Sequence, residues 1–233
     1  MNLVFDMDDT LYNQLTIFEN AYDEVFKRYD NFNVADIFRA NVKYAGECFE
    51  KKEAGIMTTE EMYRYRITKA FSDYSVNISI EDSVKFQQSY MKYQKLIKIT
   101  EGIEEVLDYG KENNITMAII TNGPDEHQTK KINLLGLNRW FDEEHIFISG
   151  CLKIAKPDIG IFKHVEDKLN LNIEHTYYVG DSLTHDVIGA KKAGWKMIWM
   201  NRMNNELPKD FPVVPDYIIN DDRDLVKLLK KLL

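Results

Sequence analysis

Leu3-Val4-Phe5-Asp6-Met7-Asp8-Asp9-Thr10 is the stretch that decides how this chain is read. Leu3–Phe5 is a very short apolar run that ends at an acid, and Asp6 and Asp8 leave it in a turn. Three further polar segments follow the same design: Thr121-Asn122-Gly123, Lys156-Pro157-Asp158, and Gly180-Asp181-Ser182 with Asp186 beyond. Each is read as standing just after an apolar run, the mark of a buried strand. Open parallel α/β sheets bind ligands in the crevice outside the carboxyl ends of their strands. A nucleophilic carboxylate, a hydroxyl, a lysine and a metal-binding acid pair are therefore expected to meet at one point.

The rest of the chain supports that frame. Ile115–Ile120, Thr176–Val179 and Met197–Met200 are apolar runs left through Asn or Gly, with helical patterns between them at Gly102–Glu112, Glu126–Leu135, Ile159–Leu169 and Thr184–Ala193. Gly136 and Gly194 stand where a helix C-terminus favours glycine. Alternation of this kind implies right-handed crossovers and a doubly wound, Rossmann-like α/β parallel sheet. Pro212 and Pro215 bracket a loop, Tyr217–Ile219 reads as an edge strand, and Leu225, Leu228, Leu229 and Leu232 line a last helix.

Thr16–Tyr93 differs, with helical periodicity throughout: Phe18, Tyr22, Val25, Phe26 and Tyr29, then Ile37, Val42, Ala45 and Phe49, then segments at Glu60–Phe71 and Glu81–Tyr93. Weak breaks fall at Asp30–Asn33, Gly55–Thr59 and Asp73–Ser79. The expected organisation is a core of 1–15 and 96–233 with an inserted helical-bundle cap of 16–95. Fifteen of the 25 Tyr and Phe residues fall in the insert, most at helical spacing, which points to packing rather than base stacking.

Composition sets limits. The 233 residues are 44% hydrophobic and 29% charged, ordinary for a globular chain, and no stretch approaches the roughly 18 apolar residues of a membrane span. No leader is expected, because no basic region precedes the first apolar run and Asp6 interrupts it. Cys48 and Cys151 alone make no disulfide framework, so a cytoplasmic setting is expected. A net charge of −8 argues against polymeric nucleic acid as a partner. It leaves room for a small phosphorylated metabolite, since one lysine and a divalent cation can reverse the local field. A monomer or small homo-oligomer is expected.

The chemistry follows from residue types. Asp6 is the expected nucleophile, since a carboxylate can attack phosphorus and split one hard displacement into two. Asp8 can reach the leaving-group oxygen as general acid and later activate water as base. The Thr121 hydroxyl and the backbone N–H groups after it can hold phosphoryl oxygens, and Lys156 can neutralise charge on the transferring group. Mg²⁺ takes one or two carboxylates plus substrate phosphate, which Asp6 and Asp181 can supply, with Asp186 on a metal water or orienting a neighbour. Singly these segments are also a polar loop, a strand-to-helix turn, a solvated lysine and a helix cap. Their conjunction at strand exits favours the catalytic reading.

The four segments resemble the four motifs of the haloacid dehalogenase superfamily, in order and over most of the chain. Asp6-Met7-Asp8-Asp9-Thr10 matches Asp-x-Asp-x-Thr, Thr121 the second-motif Thr/Ser, Lys156 the third-motif lysine, and Gly180-Asp181-Ser182-Leu183-Thr184-His185-Asp186 the fourth. Val187, Gly189-Ala190 and Ala193-Gly194 extend the likeness. The insert resembles the family's alpha-helical cap of the first type. The resemblance implies Asp6 as nucleophile, Asp8 as acid/base, and Mg²⁺ held by Asp6, the Asp8 backbone carbonyl and Asp181. It also implies phosphoryl contacts from the backbone of Met7, Asp8, Asn122 and Gly123. An acid at Asp8 is what phosphatases and mutases have and dehalogenating members lack.

The leading expectation is a Mg²⁺-dependent phosphomonoester hydrolase, in motif and cap style similar to bacterial 5′-nucleotidases, with phosphoglycolate-type phosphatases as close rivals. A phosphosugar mutase would use the same Asp6 and Asp8 and need a second phosphate site, for which Lys43, Lys51, Lys52 and Arg64 are candidates. A non-catalytic phosphate-binding module is the remaining alternative. His127 and His185 lie near motifs but carry no assigned role.

Overall fold

The computed structural model describes residues 1–29 and 31–232, and of Phe49, Glu50 and Glu53 only the backbone. They form two compact units, Gln14–Leu96 and Met1–Asn13 with Ile97–Leu233.

The smaller unit holds α1 (Gln14–Phe26), α2 (Val34–Glu53), α3 (Thr59–Ser72) and α4 (Ile80–Gln94). Sequence chemistry fixes two of the starts. Thr58 and Glu61 close a capping box on α3, and the Ser79 side chain accepts from Asp82 N at the head of α4. Aromatic rings fill the interior: Phe26 lies 4.6 Å from Phe71 and 5.4 Å from Phe86, and Phe18 lies 5.0 Å from Phe86, centroid to centroid. All four rings are fully buried, worth about 2–3 kcal/mol each before ordering costs. The inward face of α2 is Ile37, Asn41, Tyr44 and Cys48, a spacing of four, three and four. The expected stripe is therefore one register off: Val42 is 48% exposed, and the Phe49 side chain lies outside the described residues. Asn41, a polar residue at a core position, breaks the apolar pattern.

Among the described residues the larger unit holds α5 (Glu101–Glu112), α6 (Asp125–Leu135), α7 (Ser149–Leu152), α8 (Ile159–Leu169), α9 (Ile188–Lys192) and α10 (Asp222–Leu232). Its strands are β1 (Asn2–Phe5), β2 (Thr116–Thr121), β3 (Ile146–Ile148), β4 (Thr176–Gly180), β5 (Lys196–Met200) and β6 (Tyr217–Ile219). They run parallel in the order β3-β2-β1-β4-β5-β6. Every residue of β4 is buried, as a strand covered on both faces requires. On one face Phe162 of α8 meets Tyr178 and Trp195 edge-on, each at 5.4 Å. Elsewhere α5 and α10 pack together, burying Ile103, Val106, Leu107, Leu225 and Leu229.

This order positions the site. The chain leaves β1 for β2 and β3 on one side, then returns to lay β4 on the other, so the winding reverses at the β1–β4 seam. Phe5 is level with Ile119 of β2 and Val179 of β4, and Asp6 N donates to Val179 O at 2.8 Å. Asp6, Thr121 and Asp181 thus emerge side by side.

Two expectations need correction. Lys156 does not leave a strand directly; it stands in the loop after α7, because β3 is a three-residue strand followed at once by a helical turn. Nor is Thr184–Ala193 one helix: a π-type turn over Leu183–Val187 precedes α9. Both Asp186 N and Val187 N bond Ser182 O, at 2.9 and 3.0 Å, so the turn is widened by one residue, and Asp186 Oδ2 accepts from Ser182 N at 3.0 Å beside Gly180.

Candidate active site

Lys156 is the hub. Its Nζ donates to Asp6 Oδ1 at 2.6 Å, Asp186 Oδ1 at 2.7 Å and Tyr178 OH at 2.8 Å, so all three ammonium protons have partners. The lysine is 4% exposed, Asp6 6% and Asp186 1%. A charge held so deep stays only because it is paired. Burial works to lower the Lys156 ammonium, but Asp186 and Asp6 outweigh it and hold it above the ordinary lysine range. Burial pushes Asp6 up to about 7; Lys156 pulls it down, while Asp186 and Asp8 add to the rise.

Backbone and side chains around the hub explain its placement. Asn122 clasps the Lys156 peptide in both directions: Nδ2 donates to Lys156 O and Oδ1 accepts from Lys156 N, each at 2.9 Å. Gly123 N donates to Ser149 Oγ at 3.0 Å, and Gly150 N to Gly123 O at 3.1 Å. Gly123 has φ of 151°, and a Cβ on Gly150 would come within 2.6 Å of Gly123 O, so this close crossing needs glycine twice. Thr121 is fully buried, with Oγ1 accepting from Gln128 Nε2 at 2.5 Å.

Asp8 sits at the edge of this group, half-buried. Lys131 Nζ bonds its Oδ1 and Oδ2 at 2.5 and 2.7 Å, Gln128 Nε2 bonds Oδ2 at 2.9 Å, and Tyr12 OH bonds Oδ1. Burial alone would raise this carboxyl, but Lys131 and the bonds from Gln128 and Tyr12 bring it down to about 2.

On the far side of Asp6, Asp181 and Asp186 each place a carboxylate oxygen so that the three lie within 4.8 Å of one another. Burial, then Asp9, Asp6 and Asp186, raise Asp181 well above the usual carboxylate range. Trp199 Nε1 fixes the Asp181 carbonyl at 2.7 Å, and Ser182 N donates to Asp186 Oδ2 at 3.0 Å.

Residues 3–200 match the family model for haloacid dehalogenase-like hydrolases. The chain belongs to this family. It is 26% identical, over 97% of its length and 94% of the relative's, to the HAD-hydrolase YfnB of Bacillus subtilis. It is 26% identical to the pyrimidine 5′-nucleotidase PynA of Streptococcus pneumoniae, over 98% of this chain and 94% of that one. A glyceraldehyde 3-phosphate phosphatase of Pyrococcus furiosus is 32% identical over 60% of this chain and 58% of its own. Among solved structures, magnesium-bound YfnB aligns with a TM-score of 0.69 over 98% of this chain and 97% of that one, at 24% identity. The family membership and the α/β sheet meet the expectations, and the chain is an enzyme of phosphatase type.

The haloacid dehalogenase-like site has a donor set that fits a divalent cation. Three clustered carboxylates against one ammonium leave a formal charge of −3 + 1 = −2 in a buried place. A doubly charged cation would offset that charge.

Of the residues singled out in the sequence, the structure brings together Asp6, Lys156, Asp181 and Asp186, with Thr121, Asn122 and Gly123 on the adjacent strand exit. Tyr12, Gln128, Lys131 and Tyr178 were not anticipated. Gln128 and Lys131 are three apart on α6, a spacing that shares one helix face, and both are buried, which is a usable signal. Tyr178 is hidden by its setting in an apolar strand. His185 Nδ1 lies 3.1 Å from Ser182 Oγ, and burial lowers both it and His127. In the helical unit, Lys43 lies over the Tyr44 ring and Arg64 is exposed, whereas Arg66 stacks near Tyr63 and Tyr90. No helix of the described residues is long and apolar enough to cross a membrane.

Proposed function

We propose that this chain is a Mg²⁺-dependent phosphomonoesterase that works through an aspartyl phosphate on Asp6. Its substrate is a small phosphorylated metabolite, first among them a nucleoside 5′-monophosphate. The observation that carries this reading is the buried Lys156 ammonium, 2.6 Å from Asp6 Oδ1 and anchored from behind by Asp186 and Tyr178.

In the first step Asp6 attacks phosphorus and the ester P–O bond breaks; Asp8, ionised in the resting site, takes the proton of the substrate's monoanionic phosphate and passes it to the departing oxygen. In the second, water gives its proton to Asp8 and its oxygen to phosphorus, releasing phosphate and the free Asp6 carboxylate. Lys156 holds Asp6 in one orientation and neutralises charge that develops on the phosphoryl oxygens. The Thr121 hydroxyl already accepts from Gln128, so its own proton is available to a phosphoryl oxygen. The backbone N–H groups of Met7, Asp8 and Asn122 complete the cradle, whereas the Gly123 N–H, also expected there, is already given to Ser149 Oγ. Asp6, the Asp8 carbonyl and Asp181, with Asp186 beside them, would hold Mg²⁺, which would supply further charge neutralisation at the phosphate.

Nucleotides are placed first on the likeness to PynA over nearly the whole chain. The helical unit is assigned as the cap that selects among leaving groups. Two free cysteines, Cys48 and Cys151, agree with a cytoplasmic enzyme. The test is Mg²⁺-dependent phosphate release from nucleoside monophosphates, sugar phosphates and phosphoglycolate, with Asp6→Asn alongside. Release abolished in that variant supports the mechanism. Release that survives it, or none from any compound, overturns it.

A further inference from the structure

Asp8 carries more hydrogen bonds than a working acid can keep. A carboxylate offers about four lone-pair positions, and four contacts from three donors already occupy them: Tyr12 and Lys131 on Oδ1, Gln128 and Lys131 on Oδ2. No position is left for a leaving-group oxygen or an attacking water. One donor must let go each time Asp8 gives or takes a proton.

Gln128 is the donor best placed to do so. Gln128 Nε2 has two N–H bonds but three acceptors around it: Asp8 Oδ2 at 2.9 Å, Thr121 Oγ1 at 2.5 Å and Asn122 O at 3.1 Å. It can leave Asp8 and still satisfy both protons. Lys131 has no such alternative. It is 7% exposed, and its bonds within the described residues go to the two Asp8 oxygens, so losing Asp8 would strand a buried ammonium.

We propose that Lys131 and Gln128 are positioning residues for Asp8 with different duties: Lys131 is the fixed anchor of the carboxylate, and Gln128 the exchangeable donor that retreats onto Thr121 and Asn122 when Asp8 transfers a proton. Their spacing, Gln128 and Lys131 on one buried face of α6, lets a single helix deliver both to the loop after β1. Gln128 thereby also links proton transfer to the Thr121 hydroxyl in the phosphate cradle. The inference rests on the aspartyl-phosphate reading above.

The test exploits the leaving group. An alkyl phosphate needs a proton from Asp8 as its ester bond breaks, whereas p-nitrophenyl phosphate does not, because nitrophenolate leaves unaided. With Lys131→Met, turnover of the best nucleotide or sugar phosphate should fall about 100-fold, the usual worth of a placed general acid. The first turnover of p-nitrophenyl phosphate, read as a burst of nitrophenolate equal to the enzyme present, should fall less than about 5-fold. Later turnovers should slow, since water attack still needs Asp8. Lys131→Arg should recover much of the alkyl activity. Gln128→Leu, which keeps the anchor, should show the same split at about 10-fold on the alkyl ester, and it decides the matter if Lys131→Met does not fold. Equal losses on both substrates, or no loss in either variant, overturn the proposal. Activity surviving Asp6→Asn would instead sink the aspartyl-phosphate reading itself.

Discussion

Gly180→Ala tests the chain of contacts behind Lys156. Gly180 ends β4 without a left-handed φ, so space alone decides what a methyl group does there. An added Cβ would lie 2.5 Å from Asp186 Oδ2, 2.6 Å from its Cγ and 2.8 Å from its Cβ. Asp186 cannot swing aside cheaply. It is 1% exposed and tied to Lys156 at 2.7 Å, to Ser182 N at 3.0 Å and to Tyr178 OH at 3.2 Å. Overpacking a rigid site costs about 1–3 kcal/mol, and a weakened bond to a buried charge adds about 1.5–3 kcal/mol. The expected loss is therefore on the order of 3–5 kcal/mol, a large share of a typical domain's stability. Trp140, Trp195 and Trp199 all belong to the larger unit, so urea unfolding followed by tryptophan fluorescence reads that unit. With a slope on the order of 3 kcal/mol/M, the midpoint should drop by roughly 1–1.7 M. Phosphate release should fall with it, because Lys156 loses its bond to Asp186, the carboxylate that holds it toward Asp6 from behind. A midpoint within about 0.2 M of the parent, with turnover unchanged, would refute the contact argument.

Gly46→Ala is the opposite case: α2 has open space around that Cβ, so helix stability should rise by about 0.5–1 kcal/mol, read by circular dichroism. Burial holds Asp6 up to about 7 and Asp181 well above its usual range, so in metal-free protein these raised groups favour the folded state at low pH and lose that favour as pH rises through 7. Mg²⁺ competes with those protons, so its thermal stabilisation should be larger at pH 8 than at pH 5.5 and vanish in Asp181→Asn; an equal shift at both pH values would contradict this. Asp8 has the reverse sign. Its carboxyl is lowered from 3.8 to about 2, so its contribution of roughly 2 kcal/mol is complete above pH 4 and lost toward pH 2, and Lys131→Met should flatten that part of the stability curve.

The strands that carry the site were legible because parallel strands covered on both faces are written as unbroken apolar runs, and Asp6, Thr121 and Asp181 stand where such runs stop. β3 escaped because three residues give no pattern, and with it went the path of the chain to Lys156. The α2 stripe was read one register off because its true face contains Asn41, which hydrophobicity cannot flag. Site residues whose chemistry is intrinsic, such as Asp6 or Lys156, announce themselves by type. Residues that act through others do not: Tyr178, Gln128 and Lys131 matter for what they touch across 22, 120 and 123 positions of sequence, and Asn122, singled out for its backbone, also clasps Lys156 with its side chain across 34.

Arg202 is the most distant of these supporting residues, and its role is open to a direct test. Asp9 adopts φ of 58°, a sparsely populated region for a residue other than glycine, so the loop from Asp6 to Thr10 needs outside support. Arg202 gives it. Its guanidinium donates to Asp9 O, to Thr10 O at 2.6 Å and, through Nε, to Asp222 Oδ1 at 2.9 Å. Asp222 in turn accepts from Thr100 Oγ1, and Thr100 N donates to Leu11 O at 3.3 Å. One planar fork thus ties the loop after β1, the head of α5 and the head of α10 into a single frame. Arg202→Met should cost about 1.5–3 kcal/mol, the worth of bonds to a charged group that is mostly buried. Arg202→Lys should rescue little, since one ammonium cannot reach three acceptors held in a plane. The distinguishing readout is amide exchange in the Asp9–Asn13 segment, which should quicken about 10-fold or more as the loop loses roughly 1.4 kcal/mol or more of local protection. Turnover should drop with it, because Asp8 rides on the same loop. Exchange and turnover both unchanged in Arg202→Met would mean that the loop holds its shape through Asp6 N and Leu11 N alone, and that the fork is only a surface staple.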